Sequence, residues 1–194
     1  MTKVHNDILD IMHKRRSIGK LVLPMPSQDE LDAVLYAAMV APDHKQLKPW
    51  QFWVLSGDAL VRFGQVLLRA AQDEATAKGE ILDDATVKKT LNMPLRAPMI
   101  ILIATNYKVH EKVPEFEQLL SAGAAAQNML LALESLGYHS VWRSGPLCNS
   151  DAVKSYFNIS ADNTICGLIY TGSSDIQMPE RDTVALDEFV TYLS

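Results

Sequence analysis

The sequence predicts a single α+β domain, and three observations carry that prediction. Helical stripes and strand-like runs are interleaved without strict β-α-β alternation, which suits a mixed sheet flanked by helices better than a doubly wound one. Met99 to Thr105 is an uninterrupted apolar run bounded by Pro98 and Asn106, the pattern of a strand buried on both faces. The 194 residues keep one composition regime, with no internal repeat or low-complexity tract, and their number suits one domain of ~100–200 residues.

Each element has a local reason. Val4, Ile8, Ile11 and Met12 fall at i, i+4, i+7 and i+8, the stripe of an amphipathic helix. That helix carries Arg15, Arg16 and Ser17 to its end, and Gly19 lets the chain turn away. Residues 21–26 read as an extended connector held open by Pro24 and Pro26. Ser27-Gln28-Asp29-Glu30 is a capping box that starts a helix with Leu31, Val34, Leu35 and Ala38 on one face, ended by Pro42. A polar loop, 41–49, leads to Trp50–Leu55, aromatic and β-branched enough for a strand. Asp58 is placed to cap a third helix with Leu60, Phe63 and Leu67 inside. Residues 72–96 are charged and weakly patterned, so they read as a loop or short helices, in the manner of a mobile flap.

Pro114 opens the longest helix, Glu115 to Leu136, with Gly137 where a C′ glycine belongs. Its centre, Ser121 to Ala126, is made of small residues. Close packing in the core or across a subunit interface accounts for that, and so does the helix propensity of alanine. His139–Trp142 is a short strand running into the turn Arg143-Ser144-Gly145-Pro146, and Ser150-Asp151 starts a short helix ending near Phe157. Thr164–Thr171 is a further strand closed by Gly172. Beyond a polar arm, 178–187, the run Phe189–Leu193 reads as a terminal strand free to pair with a second subunit.

Composition narrows the function classes. With 48% hydrophobic and 21% charged residues the chain is ordinary globular material, long enough to bury roughly 70% of its unfolded surface without a staple. A net charge of −5, with no cationic run, argues against binding nucleic acid through its phosphates. Cys148 and Cys166 have neither metal spacing nor a disulfide framework and read as buried or half-buried thiols in a reducing compartment. The first residues form no signal-peptide core, and no apolar run approaches the ~20 residues of a membrane helix. The expectation is a soluble, cytoplasmic protein without a nucleic-acid or membrane partner.

Two guanidiniums beside a hydroxyl suit a phosphate, which accepts bidentate, charge-assisted hydrogen bonds. Equally, cations gather at helix C-termini because the dipole favours them there. Three pieces taken together decide more: Arg15-Arg16-Ser17, the run Pro42-Asp-His-Lys-Gln-Leu-Lys-Pro-Trp50, and Trp142-Arg-Ser-Gly145. In this order and spacing they resemble the FMN-dependent nitroreductase family over nearly the whole chain, and most of all its compact YdjA-like branch. Positions 15–17 match the family's Arg, Arg or His, Ser motif. Pro42, Pro49, Trp50 and Phe52 keep the frame of its second motif, while Asp43 stands where Ser is usual, Gln46 where Asn is, and Lys48 where Gln is.

The resemblance implies a three-layer fold, a mainly antiparallel sheet flanked by helices, in an intertwined homodimer whose C-terminal segment crosses to the other subunit. It implies FMN in two clefts between subunits. Arg15, Arg16 and Ser17 would lie on the phosphate and ribityl chain. His44 and Gln46 would lie near the flavin, His44 at the flavin or the substrate face with no catalytic side chain required, and Trp142, Arg143 and Ser144 would line the isoalloxazine edge. Arg181 is the one basic residue near the C-terminus placed to reach phosphate. The implied chemistry is ping-pong: NADH or NADPH delivers hydride to the flavin and leaves, and an electron-poor small molecule, a nitroaromatic or quinone, takes the electrons. No catalytic triad is required, and no Gly-x-Gly-x-x-Gly occurs. Dehalogenation, flavin fragmentation or enone reduction on the same scaffold, a low-turnover flavin-binding redox sensor, and a plain interaction domain are the rival readings. Trp50 reads as core, and His5, His13, His110 and His139 show no ligand spacing.

Overall fold

A computed structural model describes residues 6–182 and 184–193; Val4 and His5 lie outside them. Ten elements form three layers. In chain order they are α1 (Asp7–Lys14), α2 (Gln28–Met39), β1 (Trp50–Ser56), α3 (Asp58–Ala77), α4 (Asp84–Leu91), β2 (Met99–Thr105), α5 (Glu115–Ser135), β3 (His139–Arg143), α6 (Asp151–Tyr156) and β4 (Ile165–Gly172). The strands make one antiparallel sheet in the order β1-β2-β4-β3.

The central strand explains the layering. All of β2 is buried, and its side chains alternate between two cores because successive residues of a strand face opposite ways. Ile100, Leu102 and Ala104 meet Phe63 and Leu67 of α3 and Phe157 after α6. Met99, Ile101 and Ile103 meet Val34 and Ala38 of α2 and Ala122, Ala125, Met129 and Leu133 of α5. The small centre of α5 is therefore core: Ala122, Ala125 and Ala126 are fully buried. No helix among the described residues is long and apolar enough to cross a membrane.

The capping box at α2 forms as its four residues predict. Glu30 N–H donates to Ser27 Oγ at 3.4 Å, Ser27 N–H donates to Glu30 Oε2 at 2.8 Å, and Tyr138, in the connection between α5 and β3, donates its hydroxyl to Glu30 Oε2 at 2.9 Å. Those bonds, from Ser27 first, hold the Glu30 carboxyl below its ordinary range. Ser27→Ala should cost about 1 kcal/mol of stability, read as a fall of ~2–4 °C in thermal midpoint for a chain of this size.

Three expectations need correction. Asp58 does not cap α3; Gly57, with φ +54°, holds the cap position and Asp58 is the first helical residue, where its charge still suits the dipole. Residues 72–77 are not loop, because Ala70, Ala71 and Ala75 continue the buried face of α3 to Ala77. Behind it, Asp83 caps α4, which packs on α3 so closely that a side chain at Gly64 would strike the Leu91 carbonyl. Finally, Phe189–Leu193 forms no strand in this chain. A strand needs a partner edge, and the tail after Gly172 makes one bridge, Val22 to Ser173, before running exposed along the surface.

Candidate functional site

The end of α1 builds a cationic corner. Asn6 caps the helix start, and Arg15 N–H still bonds back to Ile11 O at 2.9 Å. The chain then straightens, Ser17 bridges in parallel to Ser140 of β3, and Ile18 N–H donates to Ser140 O at 3.1 Å. Buried Ile18 and Leu21 pin this crossing to the core. Arg15, Arg16 and Ser17 are thereby laid against the outer edge of β3. Among the described residues no strand pairs with that edge beyond the Ser140 bridge.

The tail returns to the same corner. Arg16 Nη1 donates to Pro179 O at 2.6 Å, while Arg181 donates through Nε to His13 O at 3.2 Å and through Nη2 to Arg15 O. As far as Arg181, then, the tail lies on its own chain. Arg15 Nη1 is buried with no hydrogen-bond partner among the described residues. Burial pushes the Arg15 guanidinium below its ordinary range, the Arg181 charge adds to that, and Glu134 opposes it. Like charges are crowded here with a donor left over. An unsatisfied buried donor is costly until something accepts from it, so the corner could hold an anion.

Further along β3, Arg143 passes beneath Gly19, where a Cβ would stand 2.6 Å from Arg143 Nη2. Its guanidinium lies 5.6 Å from the centre of the Tyr170 ring, and its Nε is buried without a partner. Trp142, 36% exposed, lies flat on β4: its Nε1–H donates to Cys166 O at 3.2 Å and its ring covers Gly167. Ser144 follows in the exposed turn.

His44 and Gln46 lie elsewhere. Their loop is tightly wound, with Lys45, Gln46 and Lys48 at φ 64°, 54° and 49° and Lys48 N–H donating to Asp43 Oδ2 at 2.6 Å. Half-exposed His44 has Nδ1 2.8 Å from Glu117 Oε2 on α5. The loop precedes Trp50, which pairs with Thr105 at the end of β2 remote from Met99. Ser17, by contrast, lies beside Ser140, level through Thr171 with Met99, and on the opposite sheet edge. Strand rise and spacing separate the two corners by roughly 20 Å along the strands and ~19 Å across them. One chain brings together Arg15, Arg16, Ser17, Trp142, Arg143 and Ser144 and leaves His44 and Gln46 apart.

No group of three or more His, Cys, Asp or Glu side chains among the described residues could hold a metal. Both cysteines are free; burial pushes the Cys148 thiol up and the Cys166 thiol up to about 11, so neither is a thiolate at neutral pH. The apolar surface is uneven. Tyr36, Val40, Phe116 and Leu120 are exposed, and a groove of about 310 Å³ runs between α1, α2 and α5, lined by Ile8, Ile11, Val40 and Leu131.

The sequence profile described as Nitroreductase family matches residues 12–173. YdjA of Escherichia coli K12, named for an inferred NAD(P)H nitroreductase activity, is 36% identical over 192 residues, spanning 96% of this chain and 99% of the relative. Among solved structures, a nitroreductase-like family protein from Bacillus cereus superimposes with a TM-score of 0.82 at 21% identity, covering 100% of this chain and 99% of its own. A nitroreductase with bound FMN from Bacteroides fragilis gives 0.72 at 21% identity, covering 98% and 100%.

Proposed function

The chain belongs to the nitroreductase family, and on that premise we propose that it is an FMN-dependent oxidoreductase that uses NADH or NADPH to reduce electron-poor small molecules such as nitroaromatics or quinones. The observation that carries the reading is the buried, unpartnered Nη1 of Arg15 beside Arg16 and Arg181. A phosphate monoester dianion meets the needs of that corner in charge and in acceptor number.

FMN, when bound, supplies the two-electron chemistry, and the protein's part is binding, orientation and field. Arg15 and Arg16 take the phosphate, with the Ser17 hydroxyl beside them. The unpaired edge of β3 at Trp142, Arg143 and Ser144 offers backbone donors to the ring system, and the Arg143 cation favours negative charge developing there. Because His44 and Gln46 sit at the opposite corner, they complete the cleft from a second copy. The exposed apolar groove beside α1 and the apolar tail, with Phe189 73% and Leu193 94% exposed, support such a dimer.

Purified protein should take up FMN and turn yellow, lose that colour anaerobically on addition of NADH or NADPH, and recover it with a quinone or nitroaromatic. Sedimentation should give two chains and two flavins. A protein that stays colourless after soaking in FMN ends the proposal; one that binds flavin but is not reduced is a binder, not an enzyme. A monomer that retains flavin removes the shared cleft.

A further inference from the structure

Gly19 is a glycine without a backbone reason. Its φ lies outside the left-handed region, unlike those of Gly57, Gly79, Gly137 and Gly167. The reason is the guanidinium beside it. A Cβ on Gly19 would stand 2.6 Å from Arg143 Nη2, and apart from the adjoining residues only Arg143 Cζ, at 3.9 Å, comes within 4 Å as well. Nothing but that side chain stands in the way of an alanine.

The two sides of this contact differ in freedom. The crossing segment is pinned on both sides of Gly19. Ile18 N–H donates to Ser140 O at 3.1 Å, Val22 and Ser173 exchange backbone bonds of 2.9 and 2.8 Å, and the Ile18 and Leu21 side chains are buried. The guanidinium is the far end of a flexible side chain, resting 5.6 Å from the centre of the Tyr170 ring. Burial pushes the Tyr170 hydroxyl up to about 12, so the ring meets the cation as a neutral phenol. No carboxylate among the described residues lies within 4 Å of Arg143, and its Nε is buried without a partner. Arg143 is thus a cation without a counter-anion, seated between a glycine and an aromatic face. It stands three residues along β3 from Ser140, about 10 Å from the corner at Ser17, an interval that a ribityl chain spans.

We propose that Gly19 is a positioning residue for Arg143: the missing side chain lets the guanidinium lie across Tyr170 at the open edge of β3, where it stabilises the added negative charge of two-electron-reduced FMN. This rests on the reading of that edge as the flavin ring site.

Gly19→Ala keeps every charge and moves one, because the methyl group pushes Nη2 outward while the pinned backbone stays. Bound FMN should then lose about tenfold in the preference for its reduced over its oxidised form. That is the scale on which a unit charge receding by a few ångström acts at an effective dielectric constant of ~20. For a two-electron couple it is a fall of ~30 mV in midpoint potential, read anaerobically against redox dyes. Arg143→Gln should lower the potential further. In that background Gly19→Ala should add less than twofold, because its effect passes through Arg143. The flavin-free protein gives a readout of its own: the ring-current shift of Arg143 Nε–H should shrink in Gly19→Ala, with the thermal midpoint close to that of the parent.

A parent that takes up no FMN overturns the flavin reading before any variant is made. Arg143→Gln with an unaltered potential places the ring elsewhere and overturns the ring site together with the proposal. Where Arg143→Gln does lower the potential, the role of Gly19 alone falls if Gly19→Ala keeps the parent's potential, or if its effect survives without Arg143. Failure of Gly19→Ala to fold overturns that role too, since the methyl group would then have moved the backbone and not the guanidinium.

Discussion

Arg15→Ala is expected to weaken FMN binding by roughly 10- to 150-fold. A hydrogen bond to a charged group is worth ~1.5–3 kcal/mol, and each 1.4 kcal/mol is a factor of ten. The apoprotein should behave differently. Without ligand, the Arg15 guanidinium is partly desolvated, faces the Arg181 charge and leaves Nη1 unpartnered, costs that the Glu134 charge opposes, so its removal should change the thermal midpoint of the flavin-free protein little. Binding and stability therefore move apart, a pattern that a general folding defect does not produce. Flavin titration and thermal unfolding of the same preparation check both. Ser17→Ala serves as the neutral companion, and unchanged FMN affinity in the two variants together refutes the assignment.

The second large effect lies in β4. Gly167 has φ +149°, and a Cβ there would stand 2.7 Å from Trp142 Cδ1 and 2.8 Å from the Arg143 carbonyl. Alanine is squeezed on both counts, with overpacking of ~1–3 kcal/mol and backbone strain of ~1–3 kcal/mol. Gly167→Ala should thus destabilise by about 2–6 kcal/mol and lower the thermal midpoint by ~2–4 °C for each of them. The tryptophan ring has to leave its seat on β4, so its emission should shift to the red as it meets water. A normal midpoint with unaltered Trp142 emission would show that the strand absorbs the methyl group without moving the ring.

What the amino-acid order disclosed depended on how local each signal was. The box at Ser27, the apolar run of β2 and Gly137, at φ +85° after α5, are written within a few neighbouring residues, and each formed as expected. The end of α3 was obscured because its last buried positions are alanines, which carry too little apolar contrast to mark a face. The terminal strand could not be judged at all from its own residues, since a strand exists only through its partner. The same holds for the site. Arg15, Arg16 and Ser17 are adjacent in the chain and remain so in space, whereas the remoteness of His44 follows from the order β1-β2-β4-β3, which is a matter of distant pairing. Gly19 looked like a turn glycine because its approach to Arg143 joins segments far apart in the chain.

The grip of Arg16 and Arg181 on opposite ends of the polypeptide makes a buckle of this corner. α1 buries none of its side chains and so depends on that clasp more than any other helix does. Cutting the strap upstream of Pro179 would slacken the opening helix as well, and amide exchange across residues 7–14 would quicken.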